Sequence, residues 1–346
     1  MNSEEIARLA NVSRATVSRV MNGHPNVSEK TRKKIEKIIR EHNYFPDTSA
    51  RSLAGVNSRF IGLFIIDFTS EHGEYTVSRS TFFYEFVGYA IDVANKYRYN
   101  LVTTIIHRDN IDDIDRLFQS HSIAGGIILG DLLDQKTLAH ISASGYPIVL
   151  CHQIRYSPSP NIVTVNLDNF RCGRMAGEEL VRHGHKKIAH ITGEARRMAV
   201  QDRLDGFVSA LTASGISYNQ EKYVFFGEFY RRKSAYEGVK ALLERCRDDL
   251  PTAMFITSSM LQVGALNAIR EAGLSVPEDI SIIGMGELDA EIYTTPPLSE
   301  VFLGCEKFAA AAVSRLLESI ENPSPQIRNH IISEWRLISR GSIQKL

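Results

Sequence analysis

From Phe60 onward the chain consists of short apolar runs separated by amphipathic stretches, and no other feature restricts its fold as tightly. Ile61–Ile66, Leu101–Ile106, Gly126–Leu129, Ile148–Cys151 and Ile162–Val165 form a first series of strand candidates. Lys187–Ile191, Tyr223–Phe226, Ala253–Thr257 and Ile280–Ile283 form a second. Between them lie helical stretches such as Glu85–Lys96, Gly173–His183, Arg203–Ser214, Ala235–Arg245 and Leu261–Ala272. Parallel strands need a crossover connection, usually a helix, so this alternation in two series predicts two doubly wound α/β lobes with parallel sheets. Ligands of such folds bind beyond the carboxyl ends of the strands, here in the cleft between the lobes.

The first 59 residues follow a different, purely helical pattern. Asn2 with Glu5 three residues on has the form of a capping box, and Ile6, Leu9 and Ala10 give an apolar stripe. Ser13 caps a second helix running to about Asn22 and ended by Gly23. At 100° per residue Val17, Val20 and Met21 share one side of it, and Arg14, Ala15, Ser18, Arg19 and Asn22 the other. Ser28 caps a third helix, Glu29 to about His42, with Ile35, Ile38 and Ile39 inward and Lys30, Lys33, Lys34 and Lys37 outside. Two short helices, a tight turn and a third helix behind them make a helix-turn-helix.

Composition matters here through its distribution. The 346 residues balance 40 Lys+Arg against 40 Asp+Glu. Yet residues 1–59 hold eleven basic and six acidic side chains, a net +5, and the remainder carries the compensating −5. A helix exposing Arg14, Ala15, Ser18 and Arg19 fits a DNA major groove, where arginine pairs with a guanine edge. Ser13, Thr16 and the free N–H groups at the helix start suit phosphate oxygens. The competing readings are a solvated three-helix unit and a head that contacts a protein partner. The 43% hydrophobic content suits a globular chain, and no stretch approaches the ~18 apolar residues of a membrane span. No secretory signal is visible, and Cys151, Cys172, Cys246 and Cys305 lie far apart without CxxC spacing, so a reducing cytoplasm is expected.

The run from Ile6 to Gly23, IARLANVSRATVSRVMNG, resembles the N-terminal signature of the LacI/GalR (lactose-repressor) family. The third helix from Val27 and its exit Asn43-Tyr44-Phe45-Pro46 match as well. The resemblance continues through Ala124–Leu129, Gly145–Leu150, Asp168-Asn169, His183–Ala189, Arg203–Phe207 and Pro296–Leu298, and so covers nearly the whole chain. It implies an N-terminal all-α helix-turn-helix head and a two-lobed body of the periplasmic-binding-protein type. The expected divisions are 1–45 for the head and 46–59 for the hinge helix and linker. Residues 60–167 with 297–326 form one lobe and 168–296 with 327–346 the other, crossing near Asp168, Pro296 and Ile327.

Ser49–Ala54, ended by Gly55, is alone too short to hold a helix in water. By resemblance it is the family's hinge helix, with Leu53 the apolar wedge inserted from the minor groove, Ala54 beside it and Arg51 adding phosphate contacts. The family also places an arginine three residues before the Gly-Phe pair to hold ligand oxygens, which is Arg203 here. Phe229 matches an aromatic stacked on the ligand, although Gly227–Tyr236 is one residue longer than the pattern. Phe82 and Phe83 match a first-lobe loop facing the cleft, Asp131 follows a strand end, and Ser258 and Glu287 follow two more. For Arg203 the alternative is a surface pair with Asp202 or Asp205; for the aromatics it is ordinary core.

Two departures bear on the ligand. Ser258-Ser259 stands where Asn-Asp or Ala-Asp is usual, and Gly284-Met285-Gly286-Glu287 where an aromatic and two aspartates are usual. The cluster Arg196, Arg197, Arg203, Arg231 and Arg232 points toward an anionic effector such as a sugar phosphate. Gly284-Met285-Gly286 lacks the third glycine of a dinucleotide fingerprint, there is no P-loop or nucleophile elbow, and His183-x-His185 sits on a turn. The expectation is thus a homodimeric repressor of carbohydrate genes. It binds a pseudopalindromic double-stranded operator and a sugar or sugar-phosphate effector, without enzyme activity, cofactor, metal or membrane. No leucine-heptad tail follows Gly341, which favours a dimer over a tetramer.

Overall fold

A computed structural model describes residues 3–21, 24, 26–42, 59–67, 81–107, 112–119, 122–130, 135–152, 159–228, 230–286, 294–302, 304–322 and 328–346. The chain divides into two units, Met1–Ser58 and Arg59–Leu346.

The first unit contains α1 (Ser3–Ala10), α2 (Arg14–Met21) and α3 (Glu29–Glu41). Ile6, Ala7, Ala10, Val17, Val20 and Ile35 form its core, with Val12, Val27, Ile38 and Ile39 packed around them. Leu9, expected inside, is 51% exposed. On a 3.6-residue helix Ile6 and Ala10 lie nearly in line, and the buried side turns toward Ala7 rather than Leu9. Ser28 caps α3 by accepting a hydrogen bond from the Thr31 amide.

The second unit contains two six-stranded sheets, flanked by helices. The first is built from β1 (Phe60–Asp67), β2 (Asn100–His107), β3 (Gly126–Leu129), β4 (Ile148–Cys151), β5 (Ile162–Leu167) and β11 (Asn329–Ile332). Their order is β11-β5-β4-β3-β1-β2, parallel throughout. Helices α4 (Thr81–Lys96), α5 (Asp112–Gln119), α6 (Gln135–Ser144) and α12 (Cys305–Glu321) accompany it. Residues of β1 alternate between two apolar layers: Ile61, Leu63 and Ile65 pack with Phe86 and Phe308, and Phe64 and Ile66 with Ile114 and Phe118. Cover on both faces is why these strands read as nearly unbroken apolar runs.

The second sheet has the order β12-β10-β9-β8-β6-β7. Its strands are β6 (Ile188–Thr192), β7 (Val224–Phe226), β8 (Ala253–Ile256), β9 (Ser281–Gly286), β10 (Ser299–Phe302) and β12 (Arg336–Ile338). All pair in parallel except β12, which runs antiparallel to β10. Its helices are α7 (Asn169–Arg182), α8 (Met198–Ala213), α9 (Gln220–Tyr223), α10 (Arg232–Arg245) and α11 (Ser259–Glu271).

All nine expected strands are present, and β10, β11 and β12 come in addition to them. Their polar residues hide them: Ser299 accepts from the Arg340 amide and donates its own N–H to Ser342, and Glu300 is held by Arg340. Tertiary partners make these strands, not apolar periodicity. They also move two expected crossings. The chain leaves the first sheet after β5 and enters the second at β6, with Asp168 between β5 and α7. The second is not at Pro296, because β10 stays in the second sheet beside β9 and the chain leaves only between Phe302 and Cys305. The third is not at Ile327, which is outside the described residues, because β11 pairs with β5 and the chain returns between Ile332 and Arg336.

Candidate functional site

On the head, α2 presents the arrangement expected of a groove-reading helix. Val17 and Val20 are buried, whereas Ser13, Arg14, Ala15, Ser18 and Arg19 are exposed and Thr16 is half-buried. Ser13 Oγ accepts from the Thr16 amide at 3.2 Å and lies 2.9 Å from Thr16 Oγ1, so one hydroxyl pair finishes the helix start. Ser28 and Thr31 repeat this pair at the start of α3 with their hydroxyls 2.8 Å apart. Arg32 donates to the His24 carbonyl at 2.7 Å and ties α3 to the chain that follows α2. Asn22, Arg51, Leu53 and Ala54 lie outside the described residues.

On the body, Arg203 is drawn into the interior of α8 and is only 6% exposed. Its position follows from two glycines. A Cβ on Gly173 would lie 1.8 Å from the Arg203 carbonyl oxygen, and one on Gly206 would lie 1.9 Å from that of Phe170. Only hydrogen in both places lets α7 and α8 approach backbone to backbone. Across this contact Arg203 Nε donates to Asn169 Oδ1 at 2.8 Å, and Asn169 donates to the Leu167 carbonyl at 3.1 Å. The first crossing therefore aims the guanidinium. Its hydrogen-bond partners are Asn169 and Tyr230 rather than the neighbouring aspartates considered from sequence.

Tyr230 is the second organising residue. It adopts φ +53°, a left-handed conformation rare for a side chain of this size. Its ring lies flat on the chain at the end of β6, where a Cβ on Gly193 would be 2.4 Å from Tyr230 Cζ. Arg203 Nη1 reaches its hydroxyl at 3.5 Å, and the Arg197 guanidinium lies 5.5 Å from its ring centre. Arg197 and Arg196 both donate to Glu194, at 2.7 and 3.1 Å. Phe229, the aromatic expected here, lies outside the described residues, as do Asp131 and Glu287.

His152 belongs to the first sheet. It follows β4 directly, has φ +61°, and its ring lies tilted with its centroid 4.7 Å from that of Phe308 and 6.3 Å from that of Phe82. Its Nδ1 is buried and has no hydrogen-bond partner among the described residues. Burial, and then the charge of Arg203, push its pKa down to about 3, so the ring is neutral at physiological pH. Burial between Phe207 and Phe255 likewise lowers His190 to about 3, and Arg203 acts in the same direction. Phe82 lies within an aromatic group with Phe83, Phe86 and Phe308, its ring 5.6 Å from Phe83.

Ser258 is the N-cap of α11, accepting from the Leu261 amide at 3.2 Å. Gly286 has a packing reason: a Cβ there would lie 2.0 Å from Glu300 Oε1. Glu300 is 1% exposed and bonded to Arg340 at 3.0 Å. The acid at this edge of the sheet thus comes from β10 instead of β9. His183 and His185 face unlike partners: His185 bridges Thr252 Oγ1 and the Gln344 carbonyl, and His183 meets the Glu179 carbonyl. Among the described residues no group of three or more side chains suited to a metal occurs, and no helix is long and apolar enough to cross a membrane.

Arg203 and the exposed face of α2 stand out in the sequence, whereas Tyr230, His152 and Glu300 do not. A histidine directly after a strand end was a usable signal for one of them. Nothing local marks a tyrosine with positive φ, and Glu300 becomes visible only once β9 and β10 are known to be neighbours.

Comparison with known proteins agrees with this two-part organisation. Residues 4–47 match the family model for bacterial regulatory proteins of the lacI family, and residues 178–343 match a periplasmic binding protein-like domain. The ribose operon repressor of Haemophilus influenzae is 31% identical, across 99% of this chain and 98% of that protein. A probable HTH-type transcriptional repressor of Bacillus subtilis, ExuR, is 32% identical over the same shares. The crystal structure of the Lac repressor dimer bound to operator and the anti-inducer ONPF superposes with a TM-score of 0.82, at 24% identity and 98% coverage of both chains. With a helix-turn-helix head and a two-sheet body that align with these proteins end to end, the chain belongs to the lacI family of bacterial regulatory proteins and is a DNA-binding transcriptional regulator controlled by a small molecule.

Proposed function

We propose that this regulator is a cytoplasmic homodimer that represses carbohydrate-utilisation genes and acts by binding alone, without catalysis. The observation that carries the reading is the division of α2: Val17 and Val20 are sealed in the head core while Arg14, Ala15, Ser18 and Arg19 stand outward together. Such a face reads base edges in the major groove, and Ser13 and Thr16 at the helix start address phosphate. In this reading residues 1–45 are the head and 46–59 the hinge. Asn22 extends the reading face, Leu53 with Ala54 beside it enters the minor groove, Arg51 contacts phosphate, and two heads meet two halves of a pseudopalindrome. The effector lies against Arg203, with Phe82, Phe83, Asp131, Phe229, Ser258 and Glu287 as further members of the site. Binding there shifts the lobes about the three passages, and the hinges separate. A gel shift of the full chain on the DNA upstream of its own reading frame tests this. A retarded band at moderate salt that unlabelled random DNA does not compete away is expected, and absence of any shift on upstream or genomic DNA counts against it.

A further inference from the structure

Beyond operator recognition by α2, we propose that the outer face of α3 is a second, sequence-independent surface for duplex DNA. Through it a regulator seated on its operator holds the phosphate backbone of another DNA segment.

Helix α3 carries six basic and three acidic residues, and the basic ones divide by task. Its arginines brace the head: Arg32 donates to the His24 carbonyl at 2.7 Å, and Arg40 Nε to the Glu36 carbonyl at 3.3 Å. Its lysines do not. Lys30, Lys33, Lys34 and Lys37 are all exposed. At about 100° per residue they share about a third of the helix circumference, on the side opposite Ile35. Ile35 is fully buried in one core with Val17 and Val20 of α2. That core separates the lysine face from the reading face of α2. A duplex read by Arg14, Ala15, Ser18 and Arg19 therefore leaves the lysines uncovered.

The lysines also crowd one another. Lys30 and Lys34, like Lys33 and Lys37, stand four residues apart, and Lys30 and Lys33, like Lys34 and Lys37, three. At these spacings like charges on a helix repel. Lys37 meets Glu41 at 3.6 Å with both side chains exposed, whereas Lys30, Lys33 and Lys34 form no ion pair among the described residues. The helices of the body are built otherwise. Arg174 is paired with Glu178, Lys233 with Glu237, Lys240 with Glu271 and Arg315 with Glu318. A lysine row left largely unanswered by its own helix complements a polyanion, and the polyanion this family of regulators meets is DNA.

The choice of lysine fits a contact that carries no sequence information. An ammonium group is a point charge and lacks the planar fork with which arginine reads a guanine edge. Phosphate oxygens are its natural partners, and they are the same in every sequence. From Lys30 to Lys37 the row runs about 10 Å along the helix axis, a length over which duplex DNA carries about six phosphate charges.

Sequential loading tests the assignment. A DNA fragment from upstream of the reading frame is fixed to a biosensor, saturated with the full-length protein and washed, and a random-sequence duplex is then passed over it. The wild type is expected to capture the second duplex. A variant combining Lys33→Gln, Lys34→Gln and Lys37→Gln is expected to load on the first fragment as the wild type does and to capture at least about tenfold less of the second. Lysine and glutamine have similar helix propensity, and loading itself reports a folded head. A control combining Lys96→Gln, Lys186→Gln and Lys345→Gln, all exposed on the body, removes the same charge and is expected to capture normally. In anisotropy with the random duplex alone, the α3 variant should show a salt slope shallower by about 2–3, as the loss of three phosphate contacts requires. The proposal is overturned by a loaded wild-type surface that captures nothing, by equal capture in the α3 variant, or by an equal loss in the control. Failure of the wild type to load on upstream DNA is a different result, which counts against the operator reading. The salt slope on random duplex then decides the proposal alone, and an unchanged slope overturns it.

Discussion

Arg203 illustrates how a residue acquires a role through its supports. A guanidinium on an exposed helix face contributes little; here Asn169 fixes its Nε and leaves the opposite edge toward Tyr230. Arg203→Ala is expected to cost on the order of 3 kcal/mol of effector binding, about a hundredfold in affinity, as two charge-assisted hydrogen bonds would. In a gel shift the variant should remain on operator DNA at effector concentrations that release the wild type. Normal release by the variant removes Arg203 from the site. A second residue-scale prediction concerns His190. Its folded pKa, about 3, lies below the ordinary value of about 6.5. The unfolded chain therefore binds more protons between these values. The stability contributed by keeping the ring neutral is complete above about pH 6.5 and is lost as the pH falls toward 3. The slope is at most about 1.4 kcal/mol per pH unit for each such histidine. His190→Phe, which keeps an aromatic between Phe207 and Phe255, should flatten this dependence in urea titrations at pH 7, 6 and 5. An unchanged slope assigns the effect elsewhere. Arg203 was legible in the sequence because it falls in a dense local pattern. Tyr230 was not, since its conformation depends on Gly193, more than thirty residues away.

At the scale of elements, the pairing of α7 with α8 is the contact that positions the site. Gly206→Ala pushes a methyl group into the Phe170 carbonyl, which cannot move without shifting α7. The expected loss is at least about 1–3 kcal/mol in urea unfolding, with weaker effector binding because Asn169 moves away from Arg203. Gly88→Ala in α4 is the informative contrast. Nothing lies within 4 Å of the added methyl, so better helix propensity should stabilise the protein by up to about 1 kcal/mol. Equal effects at the two positions would show that propensity, not interhelix distance, governs both. The third passage is tied to the first in the same region, where Trp335 Nε1 donates to the Asp168 carbonyl at 2.7 Å and the Asp168 amide to Ile332. Helices and apolar strands of the body were readable from periodicity. The strands β10, β11 and β12 were not, because their polar residues are satisfied by partners distant in sequence.

At the scale of the molecule, a zero net charge conceals a head of +5 and a body of −5. The head alone offers DNA a favourable field, so operator affinity should depend steeply on salt through counterion release. Raising salt from 50 to 200 mM is expected to weaken operator binding by at least about a hundredfold, measured by fluorescence anisotropy. A flat salt response would contradict phosphate recognition by the head. Effector and operator are linked through one equilibrium, so whatever factor the effector takes from DNA affinity the operator takes from effector affinity.

The sequence by itself determined the two-part organisation, the alternation of nine strands and their helices, and the outward face of α2. These follow from local periodicity, caps and charge, which are written in adjacent residues. Only the tertiary structure decided where the chain changes sheets, that the acid beside Gly286 is Glu300, and that Tyr230 joins Arg203. Each of these depends on which strand lies beside which and on how closely two backbones approach. Those distances are set by the packed whole, and no local pattern in the sequence records them.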